Sequence, residues 1–235
     1  TFGGPYLRDI MRRLWPLMVG VVIGIWLNAG LLTGPYAPYG TVVLGTLLAL
    51  ARLSSFRVLS MVAGAYVNLM RGIPLILVIF WFYFLVPYIG QWVTGADQPV
   101  RVGAFASCLI TFILFEACYY CEIMRAGIQS IPRGQVAAGY ALGLNYWQCM
   151  GNVVLPQAFR NMAPLLLTQT IVLFQDVSLV YVLSMPDFLG AASKVAQRDG
   201  RLVEMYLFVA VVYFVMSYAL SSLVKRLESR IAIIR

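Results

Sequence analysis

Glu116 and Asp176 are the residues of this chain that most need a chemical explanation. Each sits inside a long apolar run, Val102 to Tyr120 and Met162 to Leu183, and an ionisable side chain at membrane depth costs ~2.5 to 3.5 kcal/mol on insertion scales. Both are expected to face protein or water. Arg71, which precedes Gly72-Ile73-Pro74, and Gln175, the neighbour of Asp176, are polar companions. A ligand with carboxylates and an ammonium requires at least one cation and one anion along its path. Arg71 could take a carboxylate, and Glu116 or Asp176 the ammonium, with Gln175 beside them. The plainer reading keeps Arg71 as a surface anchor and lets Asp176 cap a broken helix or bond Ser178. Glu122 and Arg125, at helical spacing, read as an internal ion pair.

Other chemistries are poorly supported. The sequence has no His, which removes Ser-His-Asp triads, Cys-His pairs and most zinc sites. Of Cys108, Cys118, Cys121 and Cys149, only Cys118-Tyr-Tyr-Cys121 has a C-x-x-C spacing, and it lacks a thioredoxin-like context. No G-x-x-x-x-G-K-[ST] phosphate loop is present, so ATP would have to be bound elsewhere. The formal charge of +8 comes from basic residues standing singly between apolar runs, which argues against nucleic acid as a partner.

These residues need a scaffold, and 61% hydrophobic against 11% charged residues makes it a membrane one. Ile73 to Ile89, Val102 to Tyr120, Met162 to Leu183 and Met205 to Leu223 are long and apolar enough to cross a bilayer. Leu14 to Leu32 adds a possible span, whereas Tyr39 to Leu50 is short and follows the breakers Gly34-Pro-Tyr-Ala-Pro-Tyr-Gly40. Val58 to Met70 reads as first turns of the span that continues past Pro74. The expectation is an all-α membrane protein of five to six transmembrane helices. Residues 1–40 form an N-terminal segment of open topology, 41–226 the transmembrane domain, and 227–235 a cytoplasmic tail. Gly20-x-x-x-Gly24 would allow close approach of another helix.

Placing Glu122 to Arg160 in the cytoplasm also puts Arg52, Arg57, Arg125, Arg133, Lys225, Arg226, Arg230 and Arg235 there. Arg101, Lys194, Arg198 and Arg201 remain outside, which satisfies the positive-inside rule. A span at Leu14 to Leu32 brings Arg8, Arg12 and Arg13 inside as well.

The segment 122–160 is too long for a simple connector and too apolar for a disordered one. Ser130-Ile-Pro132 carries helix-start signals, Val136, Ala137, Tyr140, Ala141 and Leu144 recur at helical spacing, and Gly143 supplies a stop. Asn145 can cap a second helix with Gln148 completing a capping box, and Pro156 is expected to end that run. Such a hairpin is either a coupling element that moves two spans together or an amphipathic element lying on lipid.

Tyr120-Cys-Glu-Ile-Met-Arg-Ala-Gly-Ile-Gln-Ser-Ile-Pro-Arg-Gly-Gln135, Ala141-Leu-Gly-Leu144 and Val154-Leu-Pro-Gln-Ala158 resemble the EAA loop of the polar amino-acid family of ABC importer permeases. The resemblance extends to Arg71-Gly-Ile-Pro-Leu75 and Phe174-Gln-Asp-Val-Ser-Leu-Val-Tyr-Val-Leu183, covering roughly 47–226. Phe115-Glu-Ala-Cys-Tyr-Tyr-Cys-Glu122 and Arg198-Asp-Gly200 look most like permeases of glutamate/aspartate importers. Where the family carries Glu-Ala-Ala, this chain has Ala137-Ala138-Gly139, which removes the acidic residue.

The resemblance implies type I ABC importer permease architecture in the bacterial inner membrane, with a cytoplasmic two-helix coupling loop. It implies a second permease subunit, identical or homologous, two ATPase subunits holding ATP and Mg, a periplasmic amino-acid-binding protein, and surrounding lipid. This chain would carry no cofactor and catalyse no reaction. Gln135, Ala137, Ala138, Gly139, Tyr140, Gly143, Leu144 and Trp147 would meet the ATPase. The competing functions are an ion-coupled carrier using Glu116 and Asp176, a membrane scaffold, and an intramembrane enzyme.

Overall fold

The computed structural model describes residues 36–100, 102–185 and 187–231. The expected span Leu14 to Leu32, its Arg8, Arg12 and Arg13, the Gly20/Gly24 pair, Arg101 and Arg235 lie outside them.

Among the described residues eight helical stretches follow one another: α1 (Tyr36–Leu53), α2 (Arg57–Arg71), α3 (Leu75–Thr94), α4 (Ala104–Gln129), α5 (Arg133–Ala141), α6 (Tyr146–Leu183), α7 (Phe188–Asp199) and α8 (Leu202–Ile231). Among the described residues α3, α4, α6 and α8 are long and apolar enough to cross a membrane, and Gly40–Leu53 is a shorter apolar helix. All four clear spans read from the sequence are present. α4 runs further than expected, to Gln129, so Glu122 and Arg125 lie on the span's own continuation.

α4 is the central helix, with much more of its surface buried than the other spans. It packs on α1 along a stripe of small residues: Thr41, Gly45 and Ala49, spaced one turn apart, are all buried. A Cβ at Gly45 would stand 2.8 Å from Tyr120 Cβ and 3.1 Å from the Ala117 carbonyl. With no hydrophobic drive between helices in lipid, such close packing is a main source of association. On another face, Gly127 lets α6 approach, since a Cβ there would meet Met162 Cβ at 2.9 Å.

Two sequence expectations change. Val58 to Met70 does not continue into the next span: α2 ends at Arg71, and Pro74 occupies the N-cap of α3. α2 is amphipathic, burying Ala63 and Val67 while exposing Val58, Met61, Val62 and Leu69. The second loop helix does form, but it does not halt at Pro156. Met150–Val154 forms one π turn and the helix carries on as Leu155–Asp176. Proline lacks an N–H and its ring collides with the carbonyl four residues back. A π turn immediately upstream relocates that carbonyl and lets the helix pass. α3 solves the same problem identically, with a π turn at Trp81–Leu85 ahead of Pro87.

Candidate functional site

Breaking the chain at Gly72-Ile73-Pro74 leaves a gap between α2 and α3, against which α4 and the end of α6 are packed. The result is an open cavity of about 550 Å³ lined by Arg71, Pro74, Phe115, Tyr119, Asp176 and Leu179, among others. One cation and one anion, distant in sequence, thus share one apolar-walled space. Arg71 sits over the Tyr119 ring at 5.4 Å from its centroid, a cation–π distance that holds the guanidinium against the wall. Asp176 stands where α6 tightens into a 3₁₀ turn, Val177–Leu183, and makes no side-chain capping bond there. Its carboxylate therefore does not serve as a cap and is available to the cavity.

Glu116 and Gln175 are placed elsewhere. Glu116 is fully buried between α4 and α6, where Gln169 Nε2 donates to its Oε2 at 3.0 Å and Oε1 has no hydrogen-bond partner among the described residues. Cavity-lining Phe115 and Tyr119 lie one turn apart on α4, and Glu116 is rotated about 100° from Phe115. Gln175 turns outward and donates to Ser217 Oγ of α8 at 3.0 Å.

Behind the cavity wall lies a cluster that sequence spacing revealed only in part. Glu122 pairs with Arg125 as expected, with Nη2 at 2.7 Å and Nε at 3.2 Å from Oε2. Its other oxygen meets Arg52 from the end of α1 and lies 3.8 Å from Arg71 Nη1. Three guanidiniums from three helices converge on one carboxylate. Arg52 and Arg71 are each the basic residue in the last turn of their helix, a position the helix dipole favours, and that was the available clue.

The two-helix loop is rooted by Ile131, Val154, Ala158 and Met162, and by Asn161 Nδ2 donating to Ser130 Oγ at 2.7 Å. Gly143 adopts φ +82°, the left-handed turn that separates α5 from α6. The Asn145–Gln148 capping box forms in both directions at 2.9 Å. Gln135, Ala137, Ala138, Tyr140, Gly143 and Trp147 are exposed, and Leu144 is half-buried. Gly139 instead faces inward, where a Cβ would come within 2.8 Å of Cys149 Sγ. Its smallness serves the hairpin's own closure. Leu142, 82% exposed, and Tyr146, edge-on to Trp147 at 5.2 Å, complete an apolar tip that sequence reasoning did not assemble. A leucine beside a left-handed glycine was the missed signal.

Residues 41–233 match the family described as binding-protein-dependent transport system inner membrane component. The chain belongs to this family. This permease is a multi-pass transport component of the inner membrane rather than an enzyme. It is 54% identical over 230 residues to the glutamate/aspartate import permease protein GltK of Escherichia coli O6:H1, covering 97% of this chain and 94% of that protein. A crystal structure of an amino acid ABC transporter with histidines superposes with a TM-score of 0.75 at 29% identity, covering 94% of this chain and 96% of that one. An inward-facing form of the MetNI methionine ABC transporter shares the fold, with a TM-score of 0.64 at 18% identity over 93% of this chain and 99% of that one.

Proposed function

We propose that this permease is the channel-forming subunit of an ATP-driven importer of acidic amino acids, glutamate and aspartate, moving them from periplasm to cytoplasm by alternating access. The observation that carries the proposal is the 54% identity, nearly end to end, with a permease named for glutamate/aspartate import. The cavity supplies suitable chemistry. Arg71 takes a substrate carboxylate and Asp176 the ammonium, while Phe115 and Tyr119 exclude water. Glu116 and Gln175 act from behind the wall, through the α4–α6 and α6–α8 hydrogen bonds.

The loop tip lies on the cytoplasmic side, in keeping with the gathering of Arg52, Arg71 and Arg125 at that end of their helices. Two ATPase subunits, carrying ATP and Mg, dock on the exposed α5 and Trp147 surface. With Ala137 in place of an acid, docking rests on shape and apolar contact. A second permease copy or homologue completes the channel, and a periplasmic binding protein delivers substrate.

The test is reconstitution of the complex in lipid. Binding protein plus glutamate should stimulate ATP hydrolysis, and uptake driven by an ion gradient without the ATPase would overturn the proposal. Arg71→Ala should reduce uptake of glutamate on the order of tenfold more than uptake of a neutral amino acid, since a charge-assisted bond contributes roughly 1.5 to 3 kcal/mol. Equal losses would make Arg71 structural.

A further inference from the structure

Resting on the reading of Arg71 as the carboxylate-binding cation, we propose that Glu122 is a specificity-determining residue. It weakens Arg71's hold on the substrate anion enough for the substrate to leave.

The geometry around Glu122 is unequal. Oε2 is occupied by two nitrogens of Arg125, and Oε1 is in contact with Arg52. Arg71 Nη1 stands 3.8 Å from the same Oε1, beyond hydrogen-bond length. Arg71 therefore feels the carboxylate's charge without giving up its donors, which stay free for a ligand. The Arg71 side chain is 39% exposed, whereas Glu122 is 15% exposed and does not line the cavity. The substrate meets Arg71 and not Glu122, so the effect of Glu122 is indirect.

The sign of that effect follows from electrostatics. A negative charge about 4 Å from a cation lowers its attraction for a second anion, modestly in water and more in a partly buried setting. Glu122 is also the shared counter-charge of Arg52 and Arg125, so neutralising it makes the cluster behind the cavity wall more positive. Removing its charge should tighten anion binding on the order of tenfold and slow release. A merely structural residue would do the opposite, because loosening Arg71 would weaken binding.

α4 gives this arrangement a mechanical route. Phe115 and Tyr119 in the cavity wall, Glu122 and Arg125 in the cluster, and Gln129 at the loop root belong to one uninterrupted helix. Movement of the loop shifts Glu122 relative to Arg71. Closing 3.8 Å to the ~2.8 Å of a charge-assisted bond would let Glu122 compete directly for the guanidinium.

The experiment measures binding of radiolabelled glutamate and of glutamine, its neutral isostere, to the assembled permease–ATPase complex in nanodiscs without binding protein. It is paired with the maximal uptake rate in proteoliposomes. Glu122→Gln should lower the glutamate Kd about tenfold, leave the glutamine Kd within about twofold, and reduce maximal uptake. Glu122→Asp, which keeps the charge but withdraws it from Arg71, should shift glutamate Kd in the same direction by less and serves if Glu122→Gln does not assemble. An unchanged or raised glutamate Kd in whichever variant assembles overturns the proposal. Arg71→Ala in the same assay separates the two readings. If it leaves glutamate binding intact, the assignment of Arg71 fails; if it abolishes binding while Glu122→Gln does not tighten it, only the role of Glu122 fails.

Discussion

Replacing Gly139 by Ala tests whether this glycine closes the hairpin or meets the ATPase. A Cβ at Gly139 would lie 2.8 Å from Cys149 Sγ and 3.7 Å from both Cys149 Cβ and Leu144 Cδ1. Cys149 is 1% exposed and its thiol donates to the Val136 carbonyl at 3.7 Å, so it cannot swing aside without losing that contact. Overpacking of this kind costs ~1 to 3 kcal/mol, while exchanging a helical glycine for alanine returns up to about 1 kcal/mol. The net expectation is a loss of up to roughly 2 kcal/mol in hairpin stability. Cys149→Ala removes the colliding sulfur, and the double variant should recover about 1 kcal/mol or more relative to the sum of the singles. The assay is a double-mutant cycle on thermal stability of the purified complex, with the ratio of ATP hydrolysed to glutamate imported measured alongside. Additive effects, or a coupling defect that Cys149→Ala does not relieve, would refute the packing argument and return Gly139 to the docking surface.

Gly45→Val should push α1 off α4, because its near neighbours are the Ala117 carbonyl and Tyr120 Cβ on a helix that cannot yield; a loss of roughly 2 kcal/mol or more is expected in thermal unfolding, and wild-type stability would contradict it. Leu142→Ser combined with Trp147→Ala should weaken copurification of the ATPase at least tenfold without lowering permease expression, since both side chains are about four-fifths exposed and make little contribution to the fold; unchanged copurification would move the docking site elsewhere. Gly143→Leu should raise ATP hydrolysed per substrate imported, because φ +82° is costly for any side chain with a Cβ; unaltered stoichiometry would show that the turn plays no part in coupling.

The spans were legible because apolar length is a strong signal and the bilayer fixes what it means. The Asn145–Gln148 capping box was equally readable, being a contact between residues three apart. The fate of Pro156 was not: a proline reads as a stop, and nothing local announces that a π turn will carry the helix past it. Of the charged residues, Arg71, Glu116 and Asp176 read from the sequence as candidates for one path, and tertiary packing alone decides that Arg71 and Asp176 line one cavity. Glu116 met its partner Gln169 instead, because the rotation of α4 about its axis is set by which face packs against α1 and α6. Arg52 as a partner of Glu122 is separated from it by two helices, beyond the reach of any spacing rule.

The passage of α6 through Pro156 has a further consequence. The helix that starts beside the exposed loop tip at Tyr146 is the same one that ends beyond Asp176, 38 residues in all. At about 1.5 Å per residue, the stretch from Trp147 to Asp176 is a rod of roughly 45 Å. Pivoted near its Trp147 end, a tilt of only about 5° sweeps Asp176 through roughly 4 Å, more than the length of an ion pair. A small rotation imposed at Trp147 thus becomes a large lateral displacement at the cavity, so long as the π turn and the helix-interior Pro164 flex less than the rod as a whole tilts.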